Sequence, residues 1–181
     1  MDTQTHVAAI TADYETRCAQ NSDISLHLPF LHEAAQGSTV IELGVRTGNS
    51  TAAFLAAGAE VWSVDVEPPA VPSEWHDHPR WHFLCGDDLD PAILAALPVE
   101  AGIVFIDTAH TYDHTLAELR AYASRAGLVL LHDTQWLDGG ADAGTPTGAV
   151  ARALDDYCAE TGLTWENRPG SFGLGVLKVA G

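Results

Sequence analysis

Short apolar runs alternate along this chain with stretches of helical pattern, and that alternation limits the fold more than any other feature. The runs are Val40–Leu43, Val61–Val64, Trp81–Leu84, Gly102–Ile106 and Leu128–Leu131. The first of them, short and rich in β-branched residues, has the mark of a buried parallel strand. Between them lie Asn49–Ala57, stopped by Gly58, then Pro91–Leu97 with proline at its start, and Thr115–Ala126, ended by Gly127. Only the stretch after the second run departs from the pattern, where Pro68, Pro69 and Pro72 forbid a continuous helix. Strand and helix in this rotation specify βαβ units, and hence a parallel sheet with helices on both faces.

The two ends complete the picture. A helix over Thr147–Thr161, closed by Gly162, leads to strands at about Thr164–Asn167 and Leu174–Val179. The link Arg168-Pro169-Gly170-Ser171 is too short for a crossover helix, so these strands pair antiparallel. The sequence thus predicts an α/β fold: a Rossmann-like, doubly wound seven-stranded sheet, mostly parallel, with an antiparallel C-terminal hairpin. The first twenty or so residues read as an amphipathic helix, Ser22-Asp23 as an N-cap, and Leu28–Ala35 as helix running towards Gly37. A chain of 181 residues fits one domain, with residues 1–39 as lid helices and residues 40–181 as the core.

Charge then narrows the partners. Eight basic against 25 acidic side chains give −17, and no Lys/Arg cluster reverses this locally, so a phosphate backbone is repelled. A small-molecule substrate fits and nucleic acid does not. No segment reaches the ~18–20 apolar residues of a membrane span, and the start lacks the basic and apolar regions of a signal peptide. Cys18, Cys85 and Cys158 are odd in number and widely spaced, which reads as reduced thiols in a cytoplasmic protein.

Ligands of open α/β sheets bind at the carboxyl ends of the strands. The first such end carries Glu42-Leu43-Gly44-Val45-Arg46-Thr47-Gly48. Gly44 and Gly48 permit a tight turn and close approach of a ligand, while Glu42, Ser50 and Thr51 offer polar contacts. A dinucleotide loop would need glycine where Arg46 stands, so the pyrophosphate cradle is missing. A sulfonium cofactor, S-adenosylmethionine (SAM), has no phosphate to cradle and suits a looser, acidic loop. Asp65 ends the second strand about twenty residues after Gly44, where a carboxylate can hold both ribose hydroxyls, with Val66 beside it. Gly86-Asp87-Asp88 follows the third strand and reads either as an adenine contact or as a turn and helix cap.

The stretches VIELGVRTGNST (Val40–Thr51), VWSVD (Val61–Asp65), FIDTAHTYDHTLAEL (Phe105–Leu119), LLHDT (Leu130–Thr134) and GLGVL (Gly173–Leu177) resemble the class I SAM-dependent methyltransferases. The nearest group is the small enzymes related to macrocin and cephalosporin-pathway methyltransferases, with catechol and caffeoyl-CoA O-methyltransferases further off. The resemblance implies SAM as cofactor, with Asp107 among its contacts, and a divalent metal (Mg, Mn or other) at Asp107, His132 and Asp133. His132 departs from the acidic residue usual there, and Ala109 replaces a second acid of the strand-four motif.

For such an enzyme the protein must align the acceptor and remove its proton. Asp107 and His110 are the catalytic candidates, with His110 as base because imidazole titrates near neutrality. A hydrogen-bonded loop histidine is the equal alternative for His110. His27 and His32 could line the acceptor pocket, although partly exposed helix histidines explain them better, and Trp136 is the aromatic placed nearest substrate. The expected activity is methyl transfer to a hydroxyl of a small biosynthetic metabolite. The alternative is a SAM-binding protein of the same fold without transfer activity. With so little chain ahead of the first strand, a second subunit is expected to supply the lid, giving a homodimer.

Overall fold

The computed structural model describes residues 3–137 and 140–179, with the backbone alone for residues 3–7. The chain divides into two compact units, Met1–Pro98 and Val99–Gly181.

The first unit contains α1 (Thr3–Ala19), α2 (Leu28–Ala34), β1 (Thr39–Leu43), α3 (Asn49–Ala56), β2 (Glu60–Asp65), a 3-10 turn (Ser73–Asp77), β3 (Trp81–Cys85) and α4 (Pro91–Ala96). β1 lies parallel to β2 with Val40 opposite Val61 and Leu43 opposite Val64, and β2 lies parallel to β3 with Asp65 opposite Cys85. Burial follows the apolar runs: Val40, Ile41, Leu43, Val61 and Val64 are all at most 1% exposed. α3 is short but buried from Ser50 through Leu55, and both α1 and α2 pack on it. Ser22-Asp23 does not cap a helix. Residues 23–27 form turns, and α2 starts at Leu28 behind His27, whose side chain makes no capping bond. Asp23 pairs instead with Arg46, Oδ2 to Nη2 at 2.9 Å, and Pro29 in the first turn of α2 fixes where the helix begins.

The second unit contains β4 (Ala101–Ile106), α5 (Tyr112–Tyr122), a 3-10 turn (Ala123–Arg125), β5 (Ala126–His132), β6 (Trp136–Leu137), β7 (Ala141–Asp142), α6 (Ala149–Thr161), β8 (Trp165–Arg168) and β9 (Leu174–Lys178). β5 runs parallel to β4, with Ile106 opposite Leu131, and antiparallel to β9, with His132 opposite Leu174. β8 completes the C-terminal hairpin, also antiparallel. The core here is Val104, Phe105, Val129, Leu130, Leu131, Leu154 and Leu177, each 0% exposed.

Two features differ from the sequence expectation. α5 starts at Tyr112 and ends at Tyr122, and Gly127 lies inside β5 rather than after a helix, because Ala126 already pairs with Ala101. A small hairpin, β6–β7, follows the fifth strand, where the sequence predicts no strand. The sheet order is β3-β2-β1-β4-β5-β9-β8: seven strands, mostly parallel, with an antiparallel C-terminal hairpin.

Phe54 is the largest α3 side chain with no exposure. Phe54→Ala is expected to cost about 3–5 kcal/mol through lost burial and the cavity left behind. Urea denaturation followed by far-UV circular dichroism measures it.

Candidate active site

In the first unit, β1 runs out at Leu43 and the chain turns at Gly44, whose φ of 86° suits glycine. Gly44 N–H donates to Val64 O at 2.9 Å, prolonging the β1–β2 pairing by one residue. The next amides, of Val45 and Arg46, donate to Asp65 Oδ2 at 2.8 and 3.0 Å, and Glu67 N–H donates to Oδ1 at 3.1 Å. Asp65 therefore holds the loop to the end of β2. Gly48, at φ 74°, caps α3, and a Cβ there would lie 2.7 Å from Val71 Cγ1 and 2.9 Å from Trp75 Cζ3. Glycine at 48 is thus required twice, by conformation and by space.

The Glu42 carboxyl is engaged by hydroxyls of the protein itself. Its side chain is 0% exposed; Oε1 accepts from Ser50 Oγ at 2.6 Å, and Oε2 accepts from Thr51 Oγ1 at 2.8 Å and Ser63 Oγ at 2.5 Å. A buried carboxyl needs such donors, and the same bonds turn the Ser50 and Thr51 hydroxyls inward. All three residues join β1, α3 and β2 beneath the loop. Gly86 N–H donates to Asp65 O at 2.9 Å, and a Cβ at Gly86 would sit 2.9 Å from Ile93 Cδ1. Asp87 Oδ1 accepts from Leu89 N–H at 2.9 Å, Asp88 is 6% exposed, and the cap of α4 is Asp90, through Ala92 N–H at 2.7 Å. Gly44, Arg46, Gly48, Asp65, exposed Val66 and Gly86 are gathered at the carboxyl ends of β1, β2 and β3.

In the second unit, parallel pairing of β4 and β5 delivers Asp107 next to His132 and Asp133. Asp107 Oδ1 lies 3.2 Å from His110 Nε2 and 3.4 Å from His132 Nδ1. Asp133 Oδ2 lies 2.8 Å from His110 Nε2 and 3.2 Å from His132 Nδ1. His132 Nε2 is 2.9 Å from Ser171 O, an atom that can only accept, so this nitrogen carries a hydrogen and Nδ1 faces the carboxylates. His132 and Asp133 are buried, while Asp107 and His110 keep 26% of their side-chain surface exposed. The Trp136 ring lies 5.4 Å from that of His110.

Electrostatics follow from the geometry. Burial would push the Asp107 carboxyl up, but the two imidazoles outweigh it and hold the group well below the usual carboxylate range. Asp133 is lowered for the same reason, against the same burial. Burial lowers His110, yet hydrogen bonds to Asp107 and Asp133 and their charges raise it to about 9. His132 rises in the same sense. At neutral pH, then, His110 in this arrangement is an imidazolium held between carboxylates, without the open lone pair that a general base requires. Two carboxylates can be balanced by two imidazolium protons or by one divalent cation with both imidazoles neutral. Asp107, His110 and Asp133 present ligand atoms within 4.8 Å of one another, and His132 Nδ1 faces the same carboxylates. Nitrogen and oxygen donors in this proportion suit Mn, Fe, Co or Zn better than Mg.

The sequence leaves His110 as a base or a hydrogen-bonded loop histidine; the structure shows it bonded to Asp107 and Asp133, with the Ser171 carbonyl behind His132. The usable signal was i, i+3 spacing from Asp107 to His110; nothing local pointed to Ser171. Of the other histidines, His32 stacks on Tyr14 at 4.8 Å, and His27 is 3% exposed rather than partly exposed.

In chelator, the raised His110 stabilises the fold fully below about pH 6.5, the unfolded value, and ceases to as pH climbs through about 9. The lowered aspartates contribute above the ordinary carboxylate range and stop doing so in acid. Melting temperature is therefore expected to fall from pH 6.5 to pH 9, and His110→Asn to flatten that slope. A flat wild-type profile would contradict the assigned charge states.

A family model described as a methyltransferase domain matches residues 41–134, just over half of the chain. A comparison with curated protein sequences finds no match. Among solved structures, a Corynebacterium glutamicum protein is 21% identical with a TM-score of 0.66, over 95% of this chain and 90% of that one. The O-methyltransferase from Bacillus cereus, in complex with S-adenosylhomocysteine (SAH), is 16% identical with a TM-score of 0.61, over 99% and 92%. The SAH-bound Podospora anserina methyltransferase PaMTH1 is 14% identical with a TM-score of 0.61, over 96% and 88%. These likenesses establish the fold, and the family model, spanning the glycine loop, Asp65 and the Asp-His cluster, adds the kinship: the chain belongs to the methyltransferase-domain family.

Proposed function

We propose that this protein is a SAM-dependent methyltransferase that transfers a methyl group to a hydroxyl of a small metabolite, assisted by a divalent metal. The observation that carries the reading is the cluster of Asp107, His110, His132 and Asp133 at strand ends of a methyltransferase-family core. Gly44, Arg46 and Gly48 form the turn that receives the cofactor. The Asp65 carboxylate retains lone pairs for the ribose hydroxyls beyond its amide bonds, and Val66, 70% exposed, covers the base.

Methyl transfer is an in-line displacement, so the chain must align the acceptor oxygen with the sulfonium methyl and dispose of the acceptor's proton. Asp107, His132 and Asp133 would hold the metal, with His110 as a fourth donor. The donor chemistry fits, because Ser171 O already occupies Nε2 of His132 and leaves Nδ1 for coordination. A bound divalent ion lowers the pKa of a coordinated hydroxyl and orients it. Structural neighbours that carry the name O-methyltransferase, the Bacillus cereus protein among them, favour oxygen as acceptor atom. The charge of −17 favours a small metabolite over nucleic acid as acceptor, and three widely spaced cysteines favour the cytoplasm. A second copy, in a homodimer, would supply further cover for the acceptor.

Ala109 favours one rival, a SAM-binding protein that transfers nothing, since an acid is missing from the strand-four motif. Calorimetry with SAM and SAH, followed by product analysis on hydroxylated metabolites, separates the two. Binding with methylated product supports the proposal, binding with no product supports the rival, and no binding removes both. Asp133→Asn is expected to weaken Mn2+ binding at least about tenfold while leaving SAH affinity within about twofold. Unchanged Mn2+ affinity would remove the metal from the mechanism.

A further inference from the structure

The glycine loop is gripped from both sides. On one side Asp65 receives the amides of Val45 and Arg46. On the other stands Arg17, in the last turn of α1, with only 13% of its side chain exposed. Its Nη1 donates to Thr47 O at 2.9 Å and to Asn49 Oδ1 at 2.7 Å, and its Nε donates to Asp13 Oδ2 at 2.7 Å. The guanidinium carbon lies 5.3 Å from the centre of the Trp75 ring. Trp75, itself 3% exposed, shares with Val71 the space where a Cβ of residue 48 would be. A single planar cation thus touches the residues on both sides of Gly48 and the aromatic ring packed against it.

We propose that Arg17 is a positioning residue for cofactor binding: it fixes Thr47-Gly48-Asn49 in the conformation that receives SAM, opposite the hold of Asp65. This rests on reading the loop as the SAM site. Arginine suits the task because its rigid fork lets Nη1 bond both loop acceptors while Nε is held by Asp13 and the planar face lies over an indole. The gain lies in preorganisation. A loop already held in its bound conformation pays less ordering entropy when the ligand arrives. The second link from the N-terminal segment to the loop, Arg46 to Asp23, is far weaker support, since the Arg46 side chain is 75% exposed.

Calorimetry of SAH binding to the full chain tests the assignment, with the melting temperature of each ligand-free variant measured alongside. Arg17→Met is expected to weaken SAH about tenfold, with melting lowered by no more than a few degrees. Arg17→Lys keeps the charge but loses the fork and is expected to fall between Arg17→Met and wild type. Asp13→Asn removes the ion pair within α1 but leaves both loop bonds, so its affinity should stay within about twofold of wild type. Wild-type affinity in a folded Arg17→Met or Arg17→Lys protein would overturn this role alone. Equal losses of affinity in Asp13→Asn and Arg17→Met would reduce Arg17 to an anchor of α1 and overturn it too. Failure of the wild type to bind SAH would overturn both this role and the cofactor site beneath it.

Discussion

The carboxyl group of Glu42 has no contact with solvent, and the functional end of the first unit is organised around satisfying it. Ser50 and Thr51 reach it from the first turn of α3, and Ser63 reaches it from β2. Ser63 in turn accepts from Trp81 Nε1 at 2.9 Å, which carries the network to β3. One polar chain therefore crosses three strands and a helix directly below the glycine loop. Loss of the carboxyl would orphan several buried hydroxyls, at about 1–3 kcal/mol each. The position of the loop thus depends on this network as much as on the glycines within it.

Asp107 and Asp133 in the second unit show the opposite use of the same functional group. Glu42 is sealed and meets neutral hydroxyls, whereas Asp107 remains partly exposed and meets imidazoles whose protonation is adjustable. Hydroxyl donors fix a carboxyl permanently. Histidines leave its charge balance open to exchange, because protons and a cation can substitute for one another there. Partner chemistry, not residue type, separates the sealed Glu42 carboxylate from these two aspartates.

That distinction also marks what the sequence could reveal. The parallel strands were legible because stretches such as Val104–Ile106 and Val129–Leu131 are apolar at consecutive positions, as burial on both faces requires. Asp65 was legible from its distance to Gly44, and Asp107, His132 and Asp133 from the resemblance of their stretches to class I methyltransferases. The direction of the Glu42 side chain was not, since a strand-end acid can face either ligand or core. Its companions Ser50, Thr51 and Ser63 became meaningful only once pairing of β1 with β2 set Glu42 opposite Ser63. Arg17 was invisible for a similar reason. Its partners Thr47 and Asn49 lie about thirty residues away, and no local pattern encodes a stack on Trp75.

Backbone strain completes the account of the Asp-His cluster. Of the five non-glycine residues at positive φ among those described, His110, Asp133, Ser171 and Phe172 are at or beside it. The turn between β8 and β9 runs through Gly170, Ser171, Phe172 and Gly173 with φ of 89°, 41°, 61° and 83°, so four successive residues are left-handed. Such non-glycine residues cost of order 1–3 kcal/mol each and persist only where surrounding structure imposes them. Gln135 does so here. Its backbone N–H donates to Phe172 O at 2.7 Å, its Oε1 accepts from Gly170 N–H at 3.1 Å, and its side chain occupies the space a Cβ at Gly173 would need. The outcome is a carbonyl, that of Ser171, aimed at His132 Nε2 from 39 residues away. With that nitrogen engaged, Nδ1 can face only Asp107 and Asp133. The hairpin turn thereby commits Nε2 of the buried His132 to a backbone carbonyl and leaves Nδ1 towards the two carboxylates.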